Sequence, residues 1–346
     1  MFKIIQNRKY WFSLSGILVV LSIVFILIWG LKLGIDFTGG SLLEIEFSNT
    51  RPSNEEIDTK LSDLELTTLN LQPSNELGLI IRTESVTEEK HQAILNKLNE
   101  LFIDSDLNEN NEEGISDNLE IEGDNIESLT ITPVGGDQEV SFDAEVIGTS
   151  VGDNLTELRF DSIGPTIGNE LKQRALYAII IVLIAIIFYI AYAFRKISEP
   201  VESWKYGLAA IVALAHDIII ITGAYSLLGY LYGFQADALF VTALLTILGF
   251  SVHDSIVTFD RVRENLHRHQ DETFEVVVNR SVNETIVRSL NTSLTTLFVL
   301  LAIYLFGGET IHNFVLTLML GVIIGTFSSI FVASPLLVVW YKLKKY

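Results

Sequence analysis

Residues 244–265 read LLTILGFSVHDSIVTFDRVREN, and the order of chemistry along them decides the fold. The apolar run of which they form part, Ala238–Phe259, has the length a helix needs to cross a bilayer, about 20 mostly apolar residues. One carboxyl, Asp254, lies inside it. Asp260, Arg261, Arg263 and Glu264 close it, as befits a helix end at the membrane surface, where long charged side chains reach back to water and pair. Working outward, five more stretches qualify: Trp11–Leu31, Ala175–Phe194, Gly207–Tyr230, Ser289–Phe306 and Phe314–Trp340. The chain is therefore expected to be an α-helical polytopic membrane protein with six spans. Lys3, Arg8 and Lys9 precede the first run as in a signal peptide. The run is too long for a signal h-region and no small-residue cleavage site follows, so an uncleaved anchor is expected.

The 346 residues are 49% hydrophobic with a mean hydropathy of +0.39, yet the formal net charge is −20. Location resolves the conflict. Roughly three-quarters of the acidic residues, against about a third of the basic ones, fall between Lys32 and Gln173. The acidity belongs to one soluble domain, 32–173, set between an N-terminal portion, 1–31, and a five-helix portion, 174–346. Such a domain repels nucleic acid and anionic lipid. There is no cysteine, which excludes disulfides and thiolate chemistry, and the six histidines form no metal-ligand pattern.

Basic residues beside helix ends orient the chain. Lys3, Arg8 and Lys9; Arg195, Lys196 and Lys205; Arg261, Arg263, Arg268 and Arg280; and Lys342, Lys344 and Lys345 all fall on one side if there are six crossings. That side is expected to be cytoplasmic, with both termini, and the acidic domain and the links near Phe234 and Gly308 then face outward.

Within the outer domain, hydrophobic alternation predicts strands at Leu42–Phe47, Leu66–Gln72 and Leu77–Glu84 and helices at Asn54–Ser62 and Thr87–Phe102. A last strand pair is expected around Ser128–Pro133 and Val140–Ile147. Two helices among four or more strands point to a ferredoxin-like α+β domain. Asp104–Asn125, dense in Asp, Glu and Asn, is expected to be a solvated loop. Glu44 and Glu46 alternate along a strand and are expected on its solvent face rather than as a carboxylate pair for acid–base work.

Chemistry is expected where charge is expensive. A charged residue near the middle of a membrane helix costs roughly 2.5–3.5 kcal/mol on insertion scales, so it is paired or functional. Asp217, Asp254 and, at the start of the fifth helix, Arg288 meet that description. Ser251, Asp254, Ser255 and Thr258 form one polar stripe at helical spacing, and Thr292, Ser293, Thr295 and Thr296 lend the fifth helix similar polarity. Such stripes serve either helix-to-helix hydrogen bonding or a proton site. Burial and a neighbouring arginine act on a carboxyl's proton affinity in opposite senses, and together can place it where it cycles. His216 and His253 each precede an Asp, but adjacent residues do not share a helix face. A separate amphipathic helix is expected between Glu272 and Glu284, and Gly321 and Gly325 predict close helix packing.

Four segments carry a resemblance. GIDFTGGSLLEIEF (Gly34–Phe47), VGDNLTELRFDSIGPTIGNEL (Val151–Leu171), LLTILGFSVHDSIVTFDRVREN and RSLNTSLTTL (Arg288–Leu297) resemble, in that order, motifs of SecF, the smaller partner in the SecD–SecF protein-export complex. Asp36, Gly39, Gly40, Gly164 and Pro165 match its motif positions at the two ends of the outer domain. The resemblance implies a proton-driven motor of the resistance-nodulation-division (RND) type. Asp254 and Arg288 would line the proton path, and Asp217 matches the Asp of the third helix. His253 stands where that family often has Asn, which leaves open whether it tunes the pH range of Asp254. Also implied are a SecD-like partner, the Sec translocon channel, unfolded preproteins as substrates and the lipid of the cytoplasmic (inner) membrane. A proton gradient would be the energy source. No cofactor and no catalysis are expected, and there is no GxxxxGK[ST] for nucleotide. The alternatives are an RND-type small-molecule exporter subunit, an intramembrane protease built on Asp217 and Asp254, and a passive membrane scaffold. The first usually has twelve helices and two large outer domains. The last requires Asp254 and Arg288 to be dispensable.

Overall fold

A computed structural model describes residues 2–64, 66, 68–109, 149–150, 154–193 and 202–344. In chain order the elements are α1 (Arg8–Trp29), α2 (Ile35–Thr38), β1 (Gly40–Phe47), α3 (Asn54–Leu61), β2 (Leu69–Pro73), β3 (Gly78–Thr83), α4 (Glu88–Glu109), β4 (Thr149–Ser150) and β5 (Leu155–Ile163). Then follow α5 (Pro165–Ala193), α6 (Ser203–Tyr232), α7 (Ala238–Arg268), α8 (Phe274–Phe306), α9 (Glu309–Ser328), a π turn (Ser329–Ala333) and α10 (Ser334–Lys344). The chain divides into two compact units, Met1–Gly39 with Gly164–Tyr346, and Gly40–Ile163.

Among the described residues of the first unit, six helical segments are long and apolar enough to cross a membrane: Arg8–Trp29, Pro165–Ala193, Trp204–Tyr232, Ala238–Arg268, Phe274–Phe306 and Ile311–Leu343. Their number agrees with the sequence; several ends do not. α5 begins ten residues before the expected Ala175, because Pro165 suits the first helical position and the polar turns after it continue the helix. The expected separate helix at Glu272–Glu284 does not exist. That segment is the front of α8, which runs unbroken from Phe274. No Gly or Pro stands between Glu284 and Ser289, so nothing stops propagation, and Phe274, Val277, Val278 and Val282 bury there. The sixth span widens into the π turn just ahead of Pro335, which cannot donate a backbone hydrogen bond, and there the Ser334 hydroxyl donates to the Ser329 carbonyl at 3.0 Å.

α9 meets α7 through its glycines, as expected. A Cβ at Gly321 would lie 2.2 Å from the Ile247 side chain, and one at Gly325 3.0 Å from Ser251 Cβ. Gly321 admits no larger residue without displacing Ile247, and Gly325 leaves only a tight fit against Ser251.

The second unit is one antiparallel sheet in the order β2-β3-β1-β5-β4. Strand β1 is central, with β3 and β5 on either side. Leu43, Ile45 and Phe47 of β1, Leu79 and Ile81 of β3 and Leu155 of β5 pack against Ile57 and Leu61 of α3 and Ile94, Leu95 and Leu98 of α4. The path β1-α3-β2-β3-α4-β5 in that strand order is the expected ferredoxin-like arrangement. A reciprocal cap starts α3: Ser53 Oγ accepts from Glu56 N at 3.3 Å and Glu56 Oε2 accepts from Ser53 N at 2.8 Å.

Three expectations need correction here. β5 lies in a stretch not expected to be a strand, although Glu157, Arg159 and Asp161 alternating with Leu158 and Phe160 is the pattern of a half-buried strand. α4 continues past Phe102 to Glu109, into the expected loop; the rest of that loop and the strand pair at Ser128–Pro133 and Val140–Ile147 fall outside the described residues. Glu44 is buried rather than solvent-facing. It sits mid-strand between two neighbours, in register with Ile80 and Arg159, and its charge acts on Arg82. Arg82 donates to Gln72 Oε1 at 2.6 Å, and its burial pulls its proton affinity below the ordinary arginine value.

Candidate functional site

α7 carries the site on one face. Its buried residues recur every three or four positions, from Phe240 through Ile247 to Ser251, Asp254, Ser255, Thr258, Val262 and Asn265. The stripe is apolar over its first half and polar from Ser251 to Thr258, so the expected polar stripe points into the bundle. Sequence periodicity places it there; the neighbouring helices decide what each group meets.

Asp217, on α6, has no solvent exposure. Ser251 of α7 donates to its Oδ2 at 2.6 Å and Ser328, the last residue of α9, donates to the same oxygen at 2.8 Å. His216 Nδ1 lies 2.9 Å from Oδ1. That contact corrects the expectation that adjacent residues cannot meet: both side chains lean toward the helix N-terminus, and the imidazole is long enough to close the gap. Ser328 was not legible as a site residue. Its only signal is a run of small polar residues ahead of Pro335, which ordinary helix packing also produces.

Asp254 is held differently. It is 3% exposed, and its Oδ2 is buried without a hydrogen-bond partner among the described residues. His253, 61% exposed at its side chain, places Nδ1 3.7 Å from Oδ1. Ser289 and Arg288 of α8 are the groups that act on the carboxyl from across the interface. Arg288 is itself exposed and forms no ion pair among the described residues. It lines a cavity of 340 Å³ with Val257, Asp260, Arg261, Glu264, Glu284 and Thr285. Within that cavity Arg261 is engaged by Glu264 and, at 2.5 Å, by Glu284. The surface pairing expected at the end of the fourth span is therefore present. Of the expected polar group on α8, Ser293 alone is buried, and it pairs with Thr326 at 2.5 Å. Thr292, Thr295 and Thr296 turn their hydroxyls to carbonyls of their own helix.

The residues around α2 perform a different task. Asp36 Oδ2 accepts from Ala238 N at 2.7 Å, beside Asp237, whose Oδ1 caps Phe240 N at 2.8 Å, so two carboxylates meet the start of α7. Gly34 N donates to the Ala236 carbonyl and Ala236 N to the Lys32 carbonyl. Gly39 adopts φ +75°, and a Cβ there would fall 2.7 Å from Pro165 Cα. Only glycine satisfies both demands. Asp36, Gly39 and Pro165 thus form one seam joining α2 to the starts of α5 and α7, and Gly40 and Gly164 flank it.

The family profile for the C-terminal part of the protein export membrane proteins SecD/SecF matches residues 143–343, and the SecD/SecF GG motif matches residues 24–50. The chain is 39% identical to the protein translocase subunit SecF of Thermobaculum terrenum, over 98% of this chain and 94% of that one. It belongs to the SecF family. The SecF of Anaerolinea thermophila is 35% identical over the same shares. Among solved structures, SecDF of Thermus thermophilus, described as a translocon-associated membrane protein, matches with a TM-score of 0.73 at 27% identity. The match covers 99% of this chain but 39% of the SecDF chain, so this SecF chain spans about two-fifths of that longer protein. SecDF in its super-membrane-facing form matches with a TM-score of 0.61. Membership in SecF makes the chain a multi-pass membrane protein and a Sec translocase accessory subunit, with SecD as the kind of partner its family has.

Proposed function

We infer that this SecF-family chain, with a SecD-like subunit beside the Sec channel, uses the proton-motive force to promote outward movement of unfolded preproteins. It lies in the cytoplasmic membrane with both termini inside and the ferredoxin-like unit outside. Asp254 is the group that takes up and releases the proton, Arg288 is the cation that answers its charge, and Asp217 is the fixed carboxylate against which the helices are set. The observation that carries this reading is the contrast between the two carboxyls. Asp217 has both oxygens engaged. Asp254, equally deep among the membrane helices, keeps one oxygen without a partner among the described residues and feels the charge of Arg288, which lines a polar cavity. A group so placed can exchange a proton without breaking a hydrogen-bonded joint. The nature of the unit also supports it: six helices with a single small outer domain suit half of a two-subunit motor better than a complete exporter.

The test is proton-gradient-dependent export into inverted vesicles carrying the full complex. Asp254→Asn keeps size and removes titration; stimulation of export should vanish at normal complex abundance. Arg288→Lys should be partly tolerated, since Lys keeps the charge but loses the guanidinium fork. Full export with Asp254→Asn would remove the motor and leave a scaffold.

A further inference from the structure

The membrane unit holds a larger cavity, of 540 Å³, walled by the end of the first span, α5, α6 and α7. Leu31, Phe37, Ile179, Ile218, Phe240 and Leu244 make its lining apolar. Its polar groups are few and one-sided: Asn169, Lys172 and Gln173 all come from the first turns of α5, with Thr222 opposite on α6.

The cavity lies along Asn169–Ile179, between the start of α5, pressed onto α2, and the stretch from Val182 where α5 packs on the core again. At Gly168 a Cβ would lie 2.8 Å from Gly39 N, so the helix start is pressed onto the α2 seam. At Ile190 the helix is buried again in the core with Tyr206 and Ala210. Between these points Leu176, Tyr177, Ile180 and Ile181 are exposed. Water is a poor filler, since it needs two to four polar partners and this lining is hydrocarbon almost throughout. An empty space of this size would forfeit the dispersion contacts of every side chain around it.

We propose that the cavity binds one acyl chain of an anionic phospholipid, with Lys172 holding the lipid phosphate at its mouth. Charge complementarity selects the headgroup: Lys172 belongs to α5 of the membrane unit and not, as the sequence boundary at Gln173 had it, to the acidic unit that repels anionic lipid. Lys172 is exposed and has no ion-pair partner among the described residues, whereas Arg174 nearby is taken by Glu170 at 2.5 Å. It stands three residues before the apolar run that begins at Ala175, the level at which phosphates lie. The volume falls in the range of small-ligand sites, and the apolar body with one cation at its edge matches the two ends of a lipid. The site rests on the membrane reading above; its leaflet, the outer one, rests on the orientation.

The full complex, reconstituted in liposomes, would be labelled with phosphatidylglycerol carrying a photoactivatable acyl chain. Crosslinks are expected on Ile179, Ile218 and Leu244, competed by unlabelled phosphatidylglycerol but not by phosphatidylcholine. Lys172→Glu, an exposed change, should lower labelling roughly fivefold or more, the weight of about one surface cation. Thr222→Phe, which fills the space, should lower it at unchanged complex abundance. Should Thr222→Phe fail to assemble, Lys172→Glu and the headgroup competition decide alone. Equal labelling by phosphatidylcholine and in Lys172→Glu would overturn the site, leaving ordinary boundary lipid. Absence of any lipid adduct on Ile179, Ile218 or Leu244 in the assembled complex, as when a partner subunit's helix fills the space, would overturn it too. Labelling with the same Lys172 dependence from the opposite leaflet would keep the site and reverse the orientation.

Discussion

At Asp217 two serine hydroxyls, brought from α7 and from the end of α9, donate to one carboxylate oxygen. Three elements are thereby tied to one atom, and the serines cannot be independent. Ser251→Ala or Ser328→Ala alone leaves a buried carboxylate short of one donor, a cost of about 1–3 kcal/mol. Because both bonds end on Oδ2, the double variant should depart from additivity by about 0.5–3 kcal/mol in a thermal or denaturant unfolding series of the purified protein. Strict additivity would mean that the two hydroxyls do not share the oxygen. Asp217 and Asp254 were legible in the sequence, since a carboxyl inside an apolar run is costly wherever it points. The serines were not: small hydroxyl residues cost little in a membrane helix, and only the neighbour's position gives them a role. Glu44 misled for a related reason. Alternation assigns it to the polar face, and only its place on the central strand, in register with Arg159, explains why that face is covered.

Among the elements, the spans were readable because a run of 20 apolar residues has few alternative fates, and their ends were not because helices outlast the bilayer. The front of α8 and the start of α5 are polar enough to read as separate pieces, yet no breaker separates them from the apolar runs that follow. Strand β5 was legible in the alternation of Glu157, Arg159 and Asp161 with Leu158 and Phe160, but its pairing with β1 was not, since a local pattern does not name its partner. That α9 packs closely was visible in two glycines, that its neighbour there is α7 was not, and the contact gives the sharpest element-level test. Gly321→Ala sets a methyl against Ile247 and should destabilise the helical unit by about 1–3 kcal/mol, as overpacking does. Ile247→Ala in the same chain should recover part of that loss. Unfolding midpoints in detergent for the single and double variants would measure it, and an indifferent Gly321→Ala would mean that α9 is not pressed against α7.

On the scale of the whole molecule, the sheet unit is an insertion with closed ends. Gly40 and Ile163 are cross-strand partners, so the first and last residues of Gly40–Ile163 adjoin inside one ladder. On the other bank Gly39 touches Pro165 closely enough to exclude a Cβ. A segment with adjoining ends and its own apolar core has what a domain needs to fold alone. Residues 40–163 expressed by themselves should give a soluble, cooperatively melting protein, while joining Gly39 to Gly164 through a few flexible residues should leave a membrane bundle that still inserts. Circular dichroism melting of the fragment and the yield of the shortened protein in membranes would read both; a fragment without a cooperative transition would overturn the first. The seam therefore behaves as a cassette boundary. Sequence between Gly40 and Ile163 can be exchanged, lengthened or acidified as a module while the helices keep their packing, and a chimaera that grafts another family member's sheet unit between Gly39 and Gly164 is the natural way to ask what each half of the protein contributes.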